Sequence, residues 1–236
     1  MTRPSGDGVQ SMSDADGEAW GSLTDRAYRQ LEELIVTLRL APGDVLSEAA
    51  LSKQLGIGRT PIREALQRLA REGLVVILPR RGILVAEINV RSQLELLRVR
   101  RELERLMATL CARRCSAEER EEFAALAEAM DAAGAADDDV AFMRQDRQLN
   151  MAISAYCRNE YASRAIGLTH GLSRRFWYQH YKQVLDLPLC ARLHADQARA
   201  IASGDGAATA ESTDRLMDYM ETFTRATLDA ELGGRR

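Results

Sequence analysis

The sequence predicts a mainly α-helical protein with two parts, a small N-terminal domain that ends in a β-hairpin and a larger bundle of helices. Three observations lead to this fold class. Apolar residues recur at helical spacing through most of the chain, β-rich runs are confined to residues 74–87, and no strand signal follows residue 89. The length of 236 residues is enough for two domains with separate cores.

The first residues are expected to differ from the rest. Residues 1–21 are rich in Ser, Gly and Asp, which predicts a disordered tail. A helix is then predicted over residues 23–40, where apolar residues follow helical spacing, and the turn Ala41-Pro42-Gly43-Asp44 ends it. The N-terminal domain is expected to span residues 22–88.

Two short helices separated by a glycine turn are predicted next. The first covers residues 48–55, with the Ser47 hydroxyl placed to cap its first turn. Gly56 and Gly58 mark the turn. Thr60-Pro61 then predicts a new helix, with Thr60 as the cap and proline at the first helical position, that runs to about residue 72.

The second of these helices has two different faces. One is a core-facing stripe and the other is polar. The stripe consists of Ile62, Ala65, Leu66 and Leu69, and the opposite side carries Arg59, Arg63 and Gln67.

Two β-rich runs, residues 74–78 and 83–87, flank the sequence Pro79-Arg80-Arg81-Gly82. This pattern predicts a hairpin with a cationic tip. Helix, turn, helix and basic hairpin together form a winged helix-turn-helix, so the predicted fold class is mainly α, with a winged helix-turn-helix before an all-helical bundle.

The distribution of charge favours DNA as the partner of this domain. Residues 59–81 contain six Arg and two Glu, an excess of four positive charges, whereas the whole chain has a net charge of −3. The start of the second helix offers unpaired N–H groups and a positive dipole end beside two Arg, which suit phosphates and guanine edges. The alternative is an ordinary solvated helical hairpin whose Arg residues maintain solubility. Because cap, proline, turn and wing occur together, we favour DNA binding.

The same stretch resembles the N-terminal domain of GntR-type bacterial transcription regulators. The resemblance covers roughly residues 23–88 and rests on Leu55-Gly56-Ile57, Arg59-Thr60-Pro61-Ile62-Arg63-Glu64-Ala65-Leu66 and Gly73-Leu74. It implies that Arg59, Thr60 and Arg63 meet the major groove, and that Arg80, Arg81 and Gly82 of the wing meet the minor groove. Gly58 stands where the family usually has Ser or Thr, which implies that one phosphate contact is lost. Ala49 stands where a basic residue is frequent, which implies a smaller contribution from the first helix.

The second domain, residues 89–236, is predicted to be a bundle of five or six amphipathic helices. The expected ranges are 91–114, 116–133, 140–157, 161–184, 187–203 and 207–232. Polar residues interrupt the apolar stripes of three of them. Arg100 lies on the first, Asp146 and Asn150 on the third, and His194 on the fifth. Each alone is consistent with a satisfied core hydrogen bond, but together they predict a polar cavity for a small ligand.

The bundle resembles the FCD-type effector domain of FadR-like GntR regulators, through Val99-Arg100, Leu103-Glu104, Asp146, His194 and the run from Ala200 to Asp205. Many such domains hold a divalent metal with one Asp and three His. The resemblance places Asp146 and His194 at two ligand positions, but Asn150 and Leu216 occupy the other two. Zinc requires three or four strong ligands, so the expectation is no certain cofactor and at most a weakly bound divalent metal at Asp146 and His194.

Two further features of the bundle bear on its ligand. His170 and His180 are ten residues apart, about 80° around a helix, so they are not expected to turn inward together and replace the missing ligands. The run Arg174-Arg175-Phe176-Trp177-Tyr178 suggests a wall for an anionic or aromatic ligand, or a helix with one solvated and one packed face. The expected effector is a small organic acid bound against Arg100, Asn150 and His194, beside Asp146.

The sequence therefore predicts a cytoplasmic, ligand-responsive transcription regulator that binds a two-fold operator as a homodimer. An enzyme is not expected, because no catalytic or phosphate-binding motif is present. A DNA-binding dimeric scaffold without effector is the alternative. No apolar run approaches membrane-spanning length, and no signal segment is expected at the N-terminus. The four cysteines lack metal or redox spacing and are interpreted as reduced core residues.

Overall fold

The computed structural model of the chain describes residues 21–79, 82–184 and 186–233, without the side chains of residues 182–184 and 228–233. The tail predicted over residues 1–21 lies outside this range except for residue 21. Arg80 and Arg81 of the predicted wing also lie outside the described residues.

The N-terminal elements form a winged helix-turn-helix, as predicted. We call them together the winged-helix domain. They are α1 (Leu23–Val36), β1 (Val45–Leu46), α2 (Glu48–Leu55), α3 (Arg59–Arg71), β2 (Val75–Leu78) and β3 (Gly82–Val85). The strands are antiparallel in the order β1-β3-β2, with Val76 opposite Leu84 and Leu46 opposite Ile83. Strand β1 was not predicted, because two residues carry no periodicity and pair only once β3 is in place.

Two local predictions in this domain were wrong. Helix α1 ends at Val36 and not near residue 40, since Leu38 adopts a left-handed backbone conformation with φ 59°. Its apolar side chain still fits helical spacing, which is why the sequence pattern overran the end. Helix α3 begins at Arg59 with Gly58 as its N-cap, and no side chain caps it. Thr60 is therefore inside the helix, and Pro61 is accommodated in the first turn, where its missing N–H would have had no intrahelical acceptor.

The apolar faces of α1, α2 and α3 meet the sheet in one core. The predicted stripe of α3 is fully buried, and Leu31, Ile35 and Leu74 lie in the same cluster. This arrangement leaves the opposite side of α3 in solvent, so the fold itself determines which residues of that helix can meet a partner.

The remaining elements form the helical domain. They are α4 (Val90–Arg114), α5 (Ala117–Ala135), α6 (Asp139–Tyr156), α7 (Glu160–Val184), α8 (Leu187–Ser203) and α9 (Gly206–Gly233). The predicted ranges agree with these within a few residues. Side-chain caps explain much of this agreement, because Ser116 forms a capping box with Glu119, and Asp186 caps the first turn of α8.

Helix α5 packs along α8, and α4 packs along α9. The core between these helices contains Phe123, Met107, Met130 and Ile201. A second cluster contains Phe142, Trp177 and Phe223. All four cysteines are free and buried, as interpreted from their spacing. Burial raises the pKa of the Cys111 thiol, which keeps it protonated.

No helix in the described part of the chain is both long enough and apolar enough to cross a membrane.

Candidate functional site

The exposed face of α3 is the first candidate site. Arg59, Thr60 and Arg63 are exposed, and they lie opposite the buried stripe that includes Ile62 and Leu66. Because α3 starts at Arg59, this cationic group lies in the first turns, where unpaired N–H groups give the helix its positive end. The arginine side chains, the positive end of the helix dipole and the unpaired N–H donors therefore all lie at the N-terminal end of α3. This combination suits an anionic partner.

The Arg63 side chain is held by a residue of α2. Its Nε donates to Glu48 Oε1 over 3.0 Å, and an Nη donates to Glu48 Oε2 over 2.8 Å. The hydrogen bond from Arg63 lowers the pKa of the Glu48 carboxyl, and the same bond raises the pKa of Arg63. The pair fixes the direction of the guanidinium while 58% of the Arg63 side chain stays accessible. This role of Glu48 was not predicted, because Glu48 and Arg63 are distant in sequence.

Arg68 is also exposed and belongs to the local positive excess, but its guanidinium is already paired within the domain. Its guanidinium lies 3.6 Å from the centre of the Tyr28 ring and pairs with Glu72 at 3.2 Å. Tyr28 in turn donates to Glu72 over 2.7 Å. Burial, followed by this hydrogen bond, raises the pKa of Tyr28. Arg68 thus joins α3 to α1, and the cationic surface is narrower than the sequence count suggested.

Of the three predicted wing residues, only Gly82 is among the described residues. It is exposed at the start of β3, opposite Leu78, with φ +100°. Residues with a side chain rarely adopt this backbone conformation, so a glycine is required where the hairpin turns.

In the helical domain, three of the four predicted effector residues meet. Asn150 Nδ2 lies 2.9 Å from Asp146 Oδ1, one turn away on α6, and Asp146 Oδ1 lies 3.4 Å from His194 Nε2 on α8. His194 Nδ1 lies 2.8 Å from the carbonyl oxygen of Cys190. Since a carbonyl can only accept, Nδ1 carries the hydrogen, and Nε2 is the nitrogen that faces Asp146.

Arg100 is placed differently. Its guanidinium pairs with Glu104, one turn further along α4, and both side chains are 13% exposed. Arg100 therefore has a charged partner within the protein. His170 of α7, which was considered only as a replacement metal ligand, is the neighbour of this pair. Burial, assisted by the positive charge of Arg100, lowers the pKa of His170 to about 4, so its imidazole is neutral at pH 7.

These residues do not fit a tightly bound divalent metal. One carboxylate and one imidazole are in place, but the assigned Asn150 amide nitrogen faces the Asp146 carboxylate, and a nitrogen that donates cannot coordinate. Leu216, at the fourth family position, is a buried hydrocarbon. Among the residues that the structure describes, no group of three or more His, Cys, Asp or Glu side chains is arranged to hold a metal.

The run from Arg174 to Tyr178 joins the two domains. Arg174 pairs with Glu32 of α1 at 3.1 Å, and Arg175 donates to the Ala86 carbonyl over 2.7 Å. Phe176 and Trp177 are buried in the helical domain. Neither interpretation of this run, a ligand wall or a helix with one solvated and one packed face, anticipated its contacts with the winged-helix domain, because sequence spacing does not show which element a helix face meets.

A winged helix-turn-helix with a cationic α3, joined through α7 to a helical domain with a polar cluster, is the architecture of a two-domain transcription regulator. The family comparison is specific about which kind. Residues 23–85 match the model of bacterial regulatory proteins of the gntR family, and residues 95–219 match the FCD domain. The chain therefore belongs to the GntR family with an FCD domain, as its sequence motifs indicated.

Curated relatives share the N-terminal part. The chain is 45% identical over 62 residues to an uncharacterized HTH-type regulator of Streptomyces ambofaciens, and these residues cover 26% of each chain. It is 40% identical over 68 residues to the transcriptional repressor RspR of Escherichia coli, covering 29% of this chain and 30% of that protein. The match thus spans about a quarter to a third of these relatives. They are named as regulators and not as enzymes.

Solved structures extend the likeness to both domains. Escherichia coli McbR/YncC has a TM-score of 0.76 at 21% identity, over 89% of this chain and all of that one. A GntR regulator from Rhodococcus sp. RHA1 has a TM-score of 0.61 at 21% identity, over 87% of this chain and 99% of that one. At this level of identity the comparison establishes the fold.

Proposed function

We propose that this chain is a transcription regulator that binds a two-fold DNA operator as a homodimer and responds to a small organic acid. Residues 22–88 read DNA, and residues 89–236 bind the effector and dimerise. Its DNA partner places its activity in the cytoplasm. The observation that carries the proposal is the exposed, oriented arginine surface at the start of α3.

Arg59, Thr60 and Arg63 are assigned to the major groove. Arg63 suits a bidentate contact with a guanine edge, because its pairing with Glu48 leaves the guanidinium accessible while restricting its direction. The assigned role of Arg80, Arg81 and Gly82 is to approach the minor groove and its phosphates. A cationic surface with few arginines neutralises few phosphates, which suits modest non-specific affinity that weakens as the salt concentration rises.

A homodimer follows from what one α3 can read. One such helix contacts only a few base pairs, which cannot single out one site among genomic competitors. Two copies related by a two-fold axis double the length of the site and make it symmetric.

The effector is assigned to Arg100, Asp146, Asn150 and His194, without a required metal. A carboxylate of the effector would replace the Glu104 carboxylate at the Arg100 guanidinium. The new contact would again be a charge-assisted hydrogen bond. The polar remainder of the effector would meet Asn150 and His194. Asn150 Nδ2 donates to the Asp146 carboxylate, and this hydrogen bond offsets part of the repulsion between that carboxylate and an anionic ligand.

One observation favours the alternative of a DNA-binding scaffold without effector. Arg100 already has Glu104 as its partner, so the bundle has no unmet charge at that position. In that case the helical domain would serve only dimerisation.

Selection from random DNA by the purified full-length protein tests the DNA-binding proposal. We expect enrichment of a two-fold symmetric site, bound by two chains. If no sequence is enriched at physiological salt, the proposed function is wrong. Calorimetry with a panel of small carboxylic acids, followed by titration onto the selected operator, separates the two alternatives. Binding that alters operator affinity and is lost in Asn150→Ala supports the regulator, and its absence supports the scaffold. Elemental analysis after chelator treatment tests the metal, because a stoichiometric, resistant metal would contradict the assigned donor set.

A further inference from the structure

A cavity lies between the two domains, away from the polar cluster of the bundle. It has a volume of about 260 Å³ and is lined by residues of both domains. Glu87 comes from the end of the winged-helix domain, Ser92 and Gln93 come from the first turn of α4, and Arg175 and Phe176 come from α7. This volume is slightly below the ~300–1,000 Å³ usual for small-molecule sites, so only a small ligand fits.

The guanidinium of Arg175 is the chemically unusual part of this cavity. Arg175 is only 2% exposed. One Nη donates to the Ala86 carbonyl over 2.7 Å, and the other donates to the Glu87 carbonyl over 3.3 Å. Its Nε is buried and has no hydrogen-bond partner among the described residues. A buried donor without an acceptor is costly. Burial also lowers the pKa of Arg175 to about 10, and the charge of Glu87 only partly opposes this shift.

The surroundings of Arg175 favour an anion. Its carbonyl partners carry only partial charge. Glu87 is exposed, and its carboxylate lies close to Gly43, where a Cβ would be 3.2 Å from Glu87 Oε1. The N-terminus of the 25-residue helix α4, capped by Asn89, opens at the same place and adds a positive dipole end.

The other walls of the cavity indicate that the ligand has an apolar part. Phe176, Leu96, Leu172 and Ile88 present hydrocarbon to the cavity, and the Gln93 amide, on a residue that is 5% exposed, offers a polar contact. A purely inorganic anion would leave these apolar walls unmatched.

We propose that the cavity between the domains is a second ligand site, which takes a small carboxylate with an apolar body at the Nε–H of Arg175. The carboxylate accepts the unpaired hydrogen and adds a negative charge to that of Glu87, and its hydrocarbon body lies against Phe176 and Leu172.

Occupation of this site would act on the winged-helix domain directly. Arg175 binds the carbonyls of Ala86 and Glu87, which immediately follow strand β3 of the wing. A ligand that binds one placement of the domains more tightly shifts the population toward it. This consequence for DNA rests on the proposed function, but binding at the cavity does not.

The test uses 4-bromobenzoate as the probe and the full-length protein. Calorimetry compares wild type with Ser92→Trp, which fills the cavity from an exposed position without removing the Arg175 guanidinium. Arg175→Gln removes the guanidinium, and Arg91→Gln is the matched control, because Arg91 is an exposed neighbouring cation that does not line the cavity. 4-Bromobenzamide, which lacks the charge, controls for apolar binding. Anomalous scattering from bromine in a soaked crystal gives the location.

We expect saturable binding of 4-bromobenzoate to wild type and Arg91→Gln, at least tenfold weaker binding to Ser92→Trp and Arg175→Gln, and a bromine peak beside Phe176. If Arg175→Gln fails to fold, Ser92→Trp and the peak decide the question. The proposal is overturned if wild type does not bind the acid, if Ser92→Trp binds it as wild type does, if the amide binds equally well, or if the bromine lies beside Arg100 instead. The last outcome would leave the proposed function intact.

Discussion

Gly171 is the position where α7 comes closest to the winged-helix domain, and its replacement by leucine tests the domain interface. A Cβ at residue 171 would lie 2.6 Å from Leu74 Cδ1, whereas ordinary contacts are 3.4–4 Å. Leu74 is fully buried, so its side chain cannot simply turn away. Gly171→Leu must therefore separate α7 from Leu74 by about 1 Å or displace Leu74 from the core.

Gly167→Leu is the matched control. It lies one turn earlier on α7, is exposed, and has none of the described atoms within 4 Å of its Cβ position. Both variants replace a helical glycine by leucine, which favours the helix by roughly 0.8 kcal/mol. Overpacking at residue 171 costs about 1–3 kcal/mol, so this amount is the expected difference in unfolding free energy between the variants.

Urea unfolding followed by circular dichroism measures this difference, and small-angle scattering measures the radius of gyration. Gly171→Leu is expected to be the less stable and more expanded variant, and to bind operator DNA more weakly than Gly167→Leu. Equal stabilities and equal radii would refute the close approach of α7 to Leu74.

Three further predictions concern the two candidate sites. Glu48→Gln releases Arg63, so we expect tighter binding to all DNA but a smaller ratio between operator and scrambled DNA; an unchanged ratio in fluorescence anisotropy would contradict the positioning role of Glu48. Arg80→Ala and Arg81→Ala should each flatten the dependence of log K on log salt by about 0.9 for every phosphate that the variant no longer neutralises, and an unchanged slope would exclude a phosphate contact. Folding lowers the pKa of His170 from 6.5 to about 4. As the pH falls, the unfolded chain therefore binds the proton before the folded chain does, and stability that is present above pH 6.5 is lost toward pH 4. The unfolding free energy falls by about 3 kcal/mol over this range in the wild type, and urea titrations should show no such fall in His170→Gln. Identical pH profiles of the two proteins would contradict the burial of His170.

The sequence predicted those parts of the fold that local patterns determine. The buried stripe of α3 and the Ser47 cap of α2 each act within one or two helical turns, so their signals are complete in a short window. Strand β1 and the end of α1 depend on pairing with β3 and on the left-handed Leu38, and neither leaves such a signal.

The candidate sites were predictable to a different extent. The exposed arginines of α3 follow from amphipathic spacing, and Asp146, Asn150 and His194 meet as their stripes suggested. The partners of long side chains were not predictable. The pairing of Arg63 with Glu48, and that of Arg175 with the Ala86 carbonyl, depend on how whole elements pack against each other. Sequence spacing does not encode this packing.

Arg63→Ala measured against Arg71→Ala tests most directly whether this chain reads DNA with the start of α3. Both remove one exposed arginine from α3, but Arg71 is its last residue and lies at the other end of the helix. Fluorescence anisotropy on the selected operator at physiological salt should show affinity reduced about 5- to 150-fold for Arg63→Ala, as expected when a bidentate hydrogen bond to a base is removed. Arg71→Ala should change the affinity less than about threefold. Equal affinities for the two variants would contradict the assignment.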